Sequence, residues 1–359
     1  MTRPRPAEGF DVYLPQLDGV RAIAVLLVLA QHWVANPFRM GAPLGFVGVT
    51  MFFVLSGYLI SRILFAARAR QETKGTSLGQ SLKIFYARRF LRIFPIYYLT
   101  IAVLYLSGDP RVQKALWWCL TYTVNFYFMR EPDHESIGHL WTLAIEEQYY
   151  LVYPLIVLLC TVSQRRHALW IMCAAALASR ITLHFAGVSA EDNKYFTLSC
   201  FDSFAMGGML AHLEVEKGKT RIQAFFRRPL VGAGTLLLIA AFGALGLLLG
   251  EKASLRVVWF RSVISLASLY VIGVALIESR WLALLLGNRP LVYIGKISYG
   301  IYVYHMYAGR LMDALAPSWR KLPYPLILTT SFAVTMTVAT ASWFLFEKPI
   351  NGLKKHFKY

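Results

Sequence analysis

An arginine and a histidine share one face of the first apolar stretch. Arg21 and His32 are eleven positions apart, and eleven residues at about 100° each return to within about 20° of the starting direction of an α-helix. A rise of about 1.5 Å per residue puts His32 roughly 16 Å beyond Arg21 along the helix axis. The helix therefore presents a fixed cation near one end of this face and an imidazole deeper within it.

Further ionisable residues lie within other apolar stretches, namely Glu146, Asp202 and His305. Charged groups inside a membrane are costly and usually mark function. A histidine oriented by a carboxylate can accept the proton of a hydroxyl group, but the same pair can also relay protons in a transporter. The spacing alone does not separate these two functions.

A basic segment between residues 62 and 92 carries eight Lys or Arg residues, among them Arg88, Arg89 and Arg92. Basic loops favour the cytoplasmic side of a membrane and attract anionic lipid headgroups. A cluster of guanidinium groups also binds phosphates through paired hydrogen bonds. The segment is therefore either a lipid-facing rim or a cytoplasmic site for a polyanionic ligand.

The composition indicates which elements position these residues. The chain has 359 residues, 57% hydrophobic and only 16% charged, with a formal net charge of +18. An ordinary soluble enzyme and a disordered chain are both excluded by so little charge. Stretches of about 20 apolar residues match a ~30 Å hydrocarbon core. They predict an all-α, polytopic membrane helix bundle of about ten spans, at residues 16–35, 44–66, 86–107, 142–162, 168–186, 195–213, 229–249, 257–277, 291–312 and 324–346.

The aromatic stretch 115–129 is interrupted by Asn125 and bounded by charges, which favours an interfacial or re-entrant hairpin over an eleventh span. Basic residues are concentrated in alternate loops, so both termini are expected in the cytoplasm, and an even number of spans favours ten. No internal repeat or linker divides the chain. We expect one integral-membrane domain over residues 1–359, without a fused soluble domain, in the cell inner membrane.

Short motifs along nearly the whole chain resemble those of the acyltransferase-3 family of membrane O-acyltransferases. Any one of them is weak evidence, but their order across the predicted spans is specific. The matching segments are Leu17–Ala24 with the Arg21 and His32 pair, Gly48–Ile60, Phe85–Pro95, Leu140–Pro154 (with Thr142 where serine is usual), Phe201–Met209, Gly295–His305 and Phe346–Pro349.

The resemblance implies transfer of an acyl group, usually acetyl, from cytoplasmic acyl-CoA to a hydroxyl of a carbohydrate or glycan-type acceptor. It implies that His32 is the essential catalytic histidine and that Arg21 is its partner on the acyl-CoA side. With the reasoning from the residues, it gives the expected site: His32 and Glu146 for catalysis, Arg21, Arg88, Arg89 and Arg92 for the acyl-CoA donor (acetyl-CoA), and Asp202 and His305 for the acceptor.

The residues leave other functions open. A proton-coupled carrier of an anionic solute needs the same intramembrane histidine and carboxylates, and a lipid-binding scaffold needs only the cations. Metal, nucleotide and nucleic-acid motifs are absent from the sequence, so acyl-CoA is the only cofactor-like molecule expected. The acceptor, the acyl length, and the choice between direct transfer and an acyl-enzyme intermediate do not follow from the sequence.

Overall fold

The computed structural model describes residues 13–35, 43–131, 136–249 and 256–358. Every regular element in these ranges is a helix, and none of the described residues forms a β-strand. The predicted all-α class is therefore confirmed for this part of the chain. The first twelve residues, which the sequence predicts to be cytoplasmic, lie outside the described residues.

The α-helices are between 4 and 31 residues long, and a π-helical turn over Gln31–Ala35 continues the first of them. In chain order they are α1 Pro15–Ala30, α2 Leu44–Lys74, α3 Leu78–Leu106, α4 Pro110–Lys114, α5 Leu116–Leu120, α6 Val124–Phe128, α7 Leu140–Leu159, α8 Val162–Phe185, α9 Ala190–Asn193, α10 Phe201–Lys217, α11 Lys219–Phe226, α12 Pro229–Leu249, α13 Arg256–Ala275, α14 Arg280–Leu286, α15 Arg289–Lys296, α16 Ser298–Tyr304, α17 Ala308–Leu315, α18 Tyr324–Ser342 and α19 Lys348–Gly352.

Six helical segments of the described chain are long and apolar enough to cross a membrane, and α11 with α12, bent by 60°, makes a possible seventh. The six are Pro15–Val34, Leu44–Lys74, Leu78–Leu106, Val162–Phe185, Val258–Ala275 and Tyr324–His356. Many large apolar side chains on the outer surface are exposed, such as Trp170, Leu230 and Leu345. Apolar surface of this extent fits contact with lipid. The chain is therefore a multi-pass membrane protein, while the count of ten spans stays a prediction.

Three of the ten expected spans differ from simple long helices. The helix α10 has only 17 residues, and α7, although 20 residues long, carries Glu146 and Glu147 within it. The stretch 291–312 is divided among α15, α16 and α17. The aromatic stretch 115–129 is also broken, as expected for a hairpin, and Tyr122 between α5 and α6 has a positive φ of 53°.

A tight connection between α2 and α3 positions the basic segment. The helix α2 ends at Lys74, and Gly75 follows with φ 69°, a left-handed conformation that glycine adopts without steric cost. The side chain of Ser77 then caps α3 by accepting a hydrogen bond from the backbone N–H of Gln80, at 3.1 Å. As a result, Arg89 and Arg92 in the middle of α3 line one cavity with Ile60 and Ile63 of α2.

The centre of the bundle is a close contact between α2 and α10. A Cβ atom added at Gly57 would collide with the backbone of Phe204, and one added at Gly207 would collide with the backbone of Val54. Small residues allow helix backbones to approach in this way within membranes. The contact fixes α2, and therefore the side chains on its other faces.

Candidate active site

A cavity of about 210 Å³ with a partly polar wall lies where α1, α2, α3, α7 and α16 meet, and we call it the main cavity because of these polar groups. Each of these helices contributes a polar side chain to its wall. Its polar residues include Arg21, Ser56, Arg89, Arg92, Glu146 and Tyr302. Three of the four predicted donor-binding arginines and one of the two predicted catalytic residues therefore share this cavity.

The three arginines at the cavity differ in their partners. Arg21 forms an ion pair with Asp18, at 2.5 Å, one helical turn earlier on α1. Arg89 lies over the ring of Tyr150, with its guanidinium carbon 5.8 Å from the ring centre. Among the described residues, neither Arg89 nor Arg92 forms an ion pair with a carboxylate. Two guanidinium groups at this wall therefore have no carboxylate partner in the part of the chain that the structure describes.

Glu146 is held by hydroxyl groups. Ser56 Oγ donates a hydrogen bond to Glu146 Oε1 at 2.5 Å, and the Tyr150 hydroxyl donates to the same oxygen at 3.3 Å. Glu146 has neither a hydrogen bond nor an ion pair with His32 among the described residues. The carboxylate thus lies at the cationic end of the site, and other groups orient the predicted catalytic histidine.

A cluster of three histidines, His32, His139 and His305, lies at the far end of α1. The ring centres of His32 and His305 are 4.9 Å apart, and those of His139 and His305 are 5.4 Å apart. His305 Nε2 is 3.3 Å from His32 Nδ1. The predicted acceptor-side residue His305 is therefore in direct contact with the predicted catalytic histidine.

Backbone carbonyls determine where the neutral rings of His32 and His305 carry their hydrogens. A carbonyl oxygen only accepts, so His32 Nδ1, 2.9 Å from the Val28 carbonyl, carries a hydrogen. His305 Nδ1 likewise donates to the Tyr302 carbonyl at 2.6 Å, which leaves its Nε2 as an acceptor facing His32. His32 Nε2 is then the lone-pair nitrogen, and the ring is arranged as a base.

Tyr302 connects the cavity with the histidine cluster. It lines the cavity, and its ring centre is 5.7 Å from those of both His139 and His305. Its hydroxyl is fixed by the Thr142 hydroxyl at 2.7 Å and by donation to the His139 carbonyl at 3.0 Å. The cationic cavity and the histidines are thus two ends of one site, separated by a single tyrosine ring.

Two predicted site residues lie elsewhere. Arg88 donates to the backbone carbonyls of Lys354 and Phe357, at 3.3 and 3.0 Å, and so anchors the C-terminal segment. Asp202 is 2% exposed and forms an ion pair with Arg180 at 2.8 Å. Neither residue lines the main cavity. Their predicted roles in donor and acceptor binding stay predictions.

Reasoning from the sequence missed His139 and did not include Ser56 in the expected site. In the structure the close packing belongs to Gly57, whereas the Ser56 hydroxyl faces Glu146. His139 is 4% exposed and donates through Nε2 to the Val303 carbonyl at 3.2 Å, while its Nδ1 has no hydrogen-bond partner among the described residues. The sequence contained a signal for His139, because this residue directly precedes the Leu140–Pro154 motif.

The three histidines do not form a metal site. Among the residues that the structure describes, no group of three or more His, Cys, Asp or Glu side chains could hold a metal ion. The cluster is held by ring contacts and by hydrogen bonds to backbone carbonyls. The side-chain groups that the described site presents are imidazoles, hydroxyls, guanidinium groups and the carboxylate of Glu146.

Known proteins that are similar to this chain are named O-acetyltransferases. The peptidoglycan O-acetyltransferase OatA of Listeria monocytogenes is 29% identical over 380 aligned residues, which cover 96% of this chain and 57% of that protein. The O-acetyltransferase OatA of Staphylococcus aureus is 28% identical, with 96% of this chain and 58% of that protein covered. The chain thus spans little more than half the length of these relatives. No solved structure matches it.

A family model described as an acyltransferase domain matches residues 14–344. This range includes every residue of the cavity and of the histidine cluster. Because the match covers most of the chain, the protein belongs to the acyltransferase-3 family, as the order of its motifs predicted.

Proposed function

We propose that the protein is a membrane O-acetyltransferase that moves an acetyl group from cytoplasmic acetyl-CoA to a hydroxyl of a glycan. The observation that supports this function most directly is the continuity of the site. Arg21, Arg89 and Arg92 line a cavity whose wall residue Tyr302 contacts the cluster around His32. The names of the relatives, which refer to O-acetylation and to peptidoglycan, support a glycan acceptor.

The donor would bind at the cationic end. Acyl-CoA carries several phosphates, and guanidinium groups pair with phosphate oxygens in a two-pronged geometry. Arg89 and Arg92 have no carboxylate partner among the described residues, so phosphate binding would break no existing ion pair there. The distance from Arg21 to His32 along α1 and its π-helical extension is roughly 16 Å. An extended pantetheine arm spans this distance.

The chemical step would take place at His32. The acceptor hydroxyl attacks the thioester carbonyl while its proton passes to His32 Nε2, so that a C–O bond forms and the C–S bond breaks. The imidazolium then returns the proton to the departing thiolate, which leaves as CoA with a free thiol. His305 keeps His32 Nδ1–H occupied and so holds the ring in the tautomer that can act as a base.

We further propose ten spans, with both termini in the cytoplasm and the protein in the cell inner membrane. This arrangement puts Arg21, Arg89 and Arg92 on the cytoplasmic side and the histidines deeper in the bilayer. The donor then enters from the cytoplasm, and the acceptor approaches from the opposite side. CoA itself does not cross the membrane.

This sidedness predicts which vesicles are active. In sealed inside-out vesicles, externally added acetyl-CoA is expected to support acetylation of an acceptor enclosed in the lumen, whereas right-side-out vesicles are expected to show none. The measurement is transfer of radiolabelled acetyl to the glycan, with vesicles made permeable by detergent as the control for total activity. Equal transfer in both sealed preparations would contradict the proposed orientation.

A second prediction concerns Arg89 and Arg92, which have no carboxylate partner among the described residues. Replacing either one with glutamine is expected to raise the KM for acetyl-CoA by about 10–100-fold, since one charged hydrogen bond is worth about 1.5–3 kcal/mol. The change in kcat is expected to be smaller, because phosphate contacts persist from ground state to transition state. Steady-state kinetics of the purified protein measure both constants.

The matched control is Arg88→Gln, because Arg88 lies on the same helix but bonds backbone carbonyls outside the cavity. Its KM for acetyl-CoA is expected to stay near that of the unmodified protein. If the Arg89 and Arg92 variants also leave this KM unchanged at low salt, these side chains form only a basic rim against the lipid. Movement of an anionic solute without acetyl transfer would instead indicate a carrier.

A further inference from the structure

A second cavity of about 260 Å³ lies between α3, α17 and α18, outside the site described above. Apart from a few hydroxyl groups its wall is apolar, with Leu99, Val103, Leu311 and Val338 among its residues. Leu99 and Val103 are 43% and 56% exposed, on the surface of a helix long enough to span the membrane. The cavity therefore adjoins the part of the surface that faces hydrocarbon.

Two hydroxyl groups at this apolar cavity lack partners. Tyr307 and Thr335 both line it, and neither hydroxyl makes a hydrogen bond within the described part of the chain. Thr335 is 1% exposed. Buried hydroxyls are normally hydrogen-bonded, so an occupant that fits this cavity combines a hydrocarbon portion with at least one oxygen atom near Tyr307 and Thr335.

The second cavity adjoins the histidine cluster through one of its wall residues, Tyr307. The ring of Tyr307 has its centre 5.7 Å from that of His139, the same separation as between Tyr302 and His139. Tyr302 lines the first cavity and Tyr307 lines the second. Along α3, Leu99 lies about 10 Å beyond Arg92. His139 thus stands between a cationic cavity and an apolar one.

We propose, on the basis of the function proposed above, that the second cavity binds the first part of the hydrocarbon chain of a lipid-linked glycan. The oxygen that joins chain to sugar bonds the hydroxyls of Tyr307 and Thr335, and a sugar hydroxyl then lies beside the histidine cluster. The acceptor therefore enters sideways from the bilayer rather than from the aqueous phase. The apolar wall and the exposed flank of α3 favour such an amphiphile over a free, water-soluble sugar.

Photolabelling tests the binding without requiring turnover. The full protein in nanodiscs is irradiated with a decyl glucoside that carries a diazirine on its chain, and in parallel with a diazirine-bearing phosphatidylcholine. The glucoside is expected to label peptides of α3 and α18 at the cavity. This labelling is expected to be lost in Val338→Trp, which fills the cavity, and retained in Thr337→Trp, whose position on the same helix is exposed.

Acetyl transfer gives the second readout, with decyl glucoside and methyl glucoside as acceptors. In Val338→Trp the KM for decyl glucoside is expected to rise about tenfold, which corresponds to the loss of about two buried methylene groups. Methyl glucoside and acetyl-CoA are expected to keep their KM values. The shape-conserving variant Thr335→Val is expected to raise the KM for decyl glucoside severalfold, because it removes only the hydroxyl.

Three results would overturn the lipid-linked acceptor: no labelling at the cavity, equal labelling by phosphatidylcholine, or an unchanged KM for decyl glucoside in both cavity variants. Any of these leaves the transferase function standing if acetyl-CoA is still consumed. Conversely, absence of acetyl transfer to every acceptor overturns the proposed function, and cavity labelling by the glucoside is still measured independently. The two failures are therefore distinguishable.

Discussion

Replacement of His32 with alanine is expected to lower acetyl transfer by about 10²–10⁴-fold, the contribution of a general base. The substitution removes His32 Nε2, which carries a lone pair because Nδ1 faces the Val28 carbonyl and His305. Acetyl-CoA should still bind, because the arginines of the main cavity are untouched. The measurement is kcat with acetyl-CoA and glycan acceptor, together with the donor dissociation constant.

The matched control for this variant is His167→Ala. His167 is exposed, and its Nδ1 bonds the carbonyl four residues earlier, at 2.8 Å, just as His32 Nδ1 does at 2.9 Å. Loss of that local contact alone should therefore leave activity unchanged. If His32→Ala retains most of its activity, the base is another group. A fall in folded yield parallel to the loss of activity would assign His32 a structural role.

Replacement of Asp202 with alanine is expected to reduce the stability of the protein by about 3–5 kcal/mol, since it leaves a buried arginine without its counter-charge. Arg180 bonds Asp202, Ser262 and the backbone of α13, so the pair joins α8, α10 and α13. The expected readout is a lower thermal midpoint in detergent, followed by size-exclusion chromatography. The KM for the acceptor in the surviving folded fraction is expected to stay the same.

The double variant Arg180→Ala with Asp202→Ala shows whether the unpaired guanidinium of Arg180 causes the loss of stability. If the cost of Asp202→Ala arises from the unpaired guanidinium, removing Arg180 as well should recover part of the lost stability. A single Asp202 variant with unchanged stability and a raised acceptor KM would instead support the acceptor-binding role predicted from the sequence. The two results cannot be mistaken for each other.

Local periodicity was sufficient to predict that Arg21 and His32 belong to one helical segment. Both residues lie on α1 or its π-helical extension, one at the cavity and the other in the histidine cluster. Helical geometry depends on neighbouring residues alone, so the spacing of eleven positions is enough to predict where one residue lies relative to the other on a helix. The π-turn over Gln31–Ala35 was not foreseen, because it depends on how the end of the helix packs.

The same reasoning does not predict contacts between residues that are far apart in the sequence. Ser56 and Glu146 are 90 positions apart, and their hydrogen bond exists only because α2 and α7 pack side by side. The partnership of His32 and His305 spans 273 positions. One sequence without an alignment shows which residue types are present, but it does not show which helices are neighbours.

The broken stretch 291–312 illustrates a further reason why the sequence alone does not predict the whole fold. Its apolar composition predicts one continuous span, yet α15 ends at Lys296 and α16 ends at Tyr304. The imidazole of His305 bonds the carbonyl of Tyr302, which competes with regular helical hydrogen bonding at this point. Gly295 also approaches the backbone of Asp18 so closely that a Cβ atom would collide with it. A hydropathy profile detects neither the hydrogen bond of His305 nor the close backbone contact of Gly295.

The short separations within the histidine cluster limit how many charges it can hold. Two protonated rings with centres 4.9 Å apart repel each other by about 3 kcal/mol at an effective dielectric constant of 20. Double protonation is therefore disfavoured by about two orders of magnitude relative to isolated rings. The pair of His32 and His305 therefore holds at most one proton at a time. In the proposed reaction, the proton that His32 takes up must leave this pair before the next acceptor can be activated.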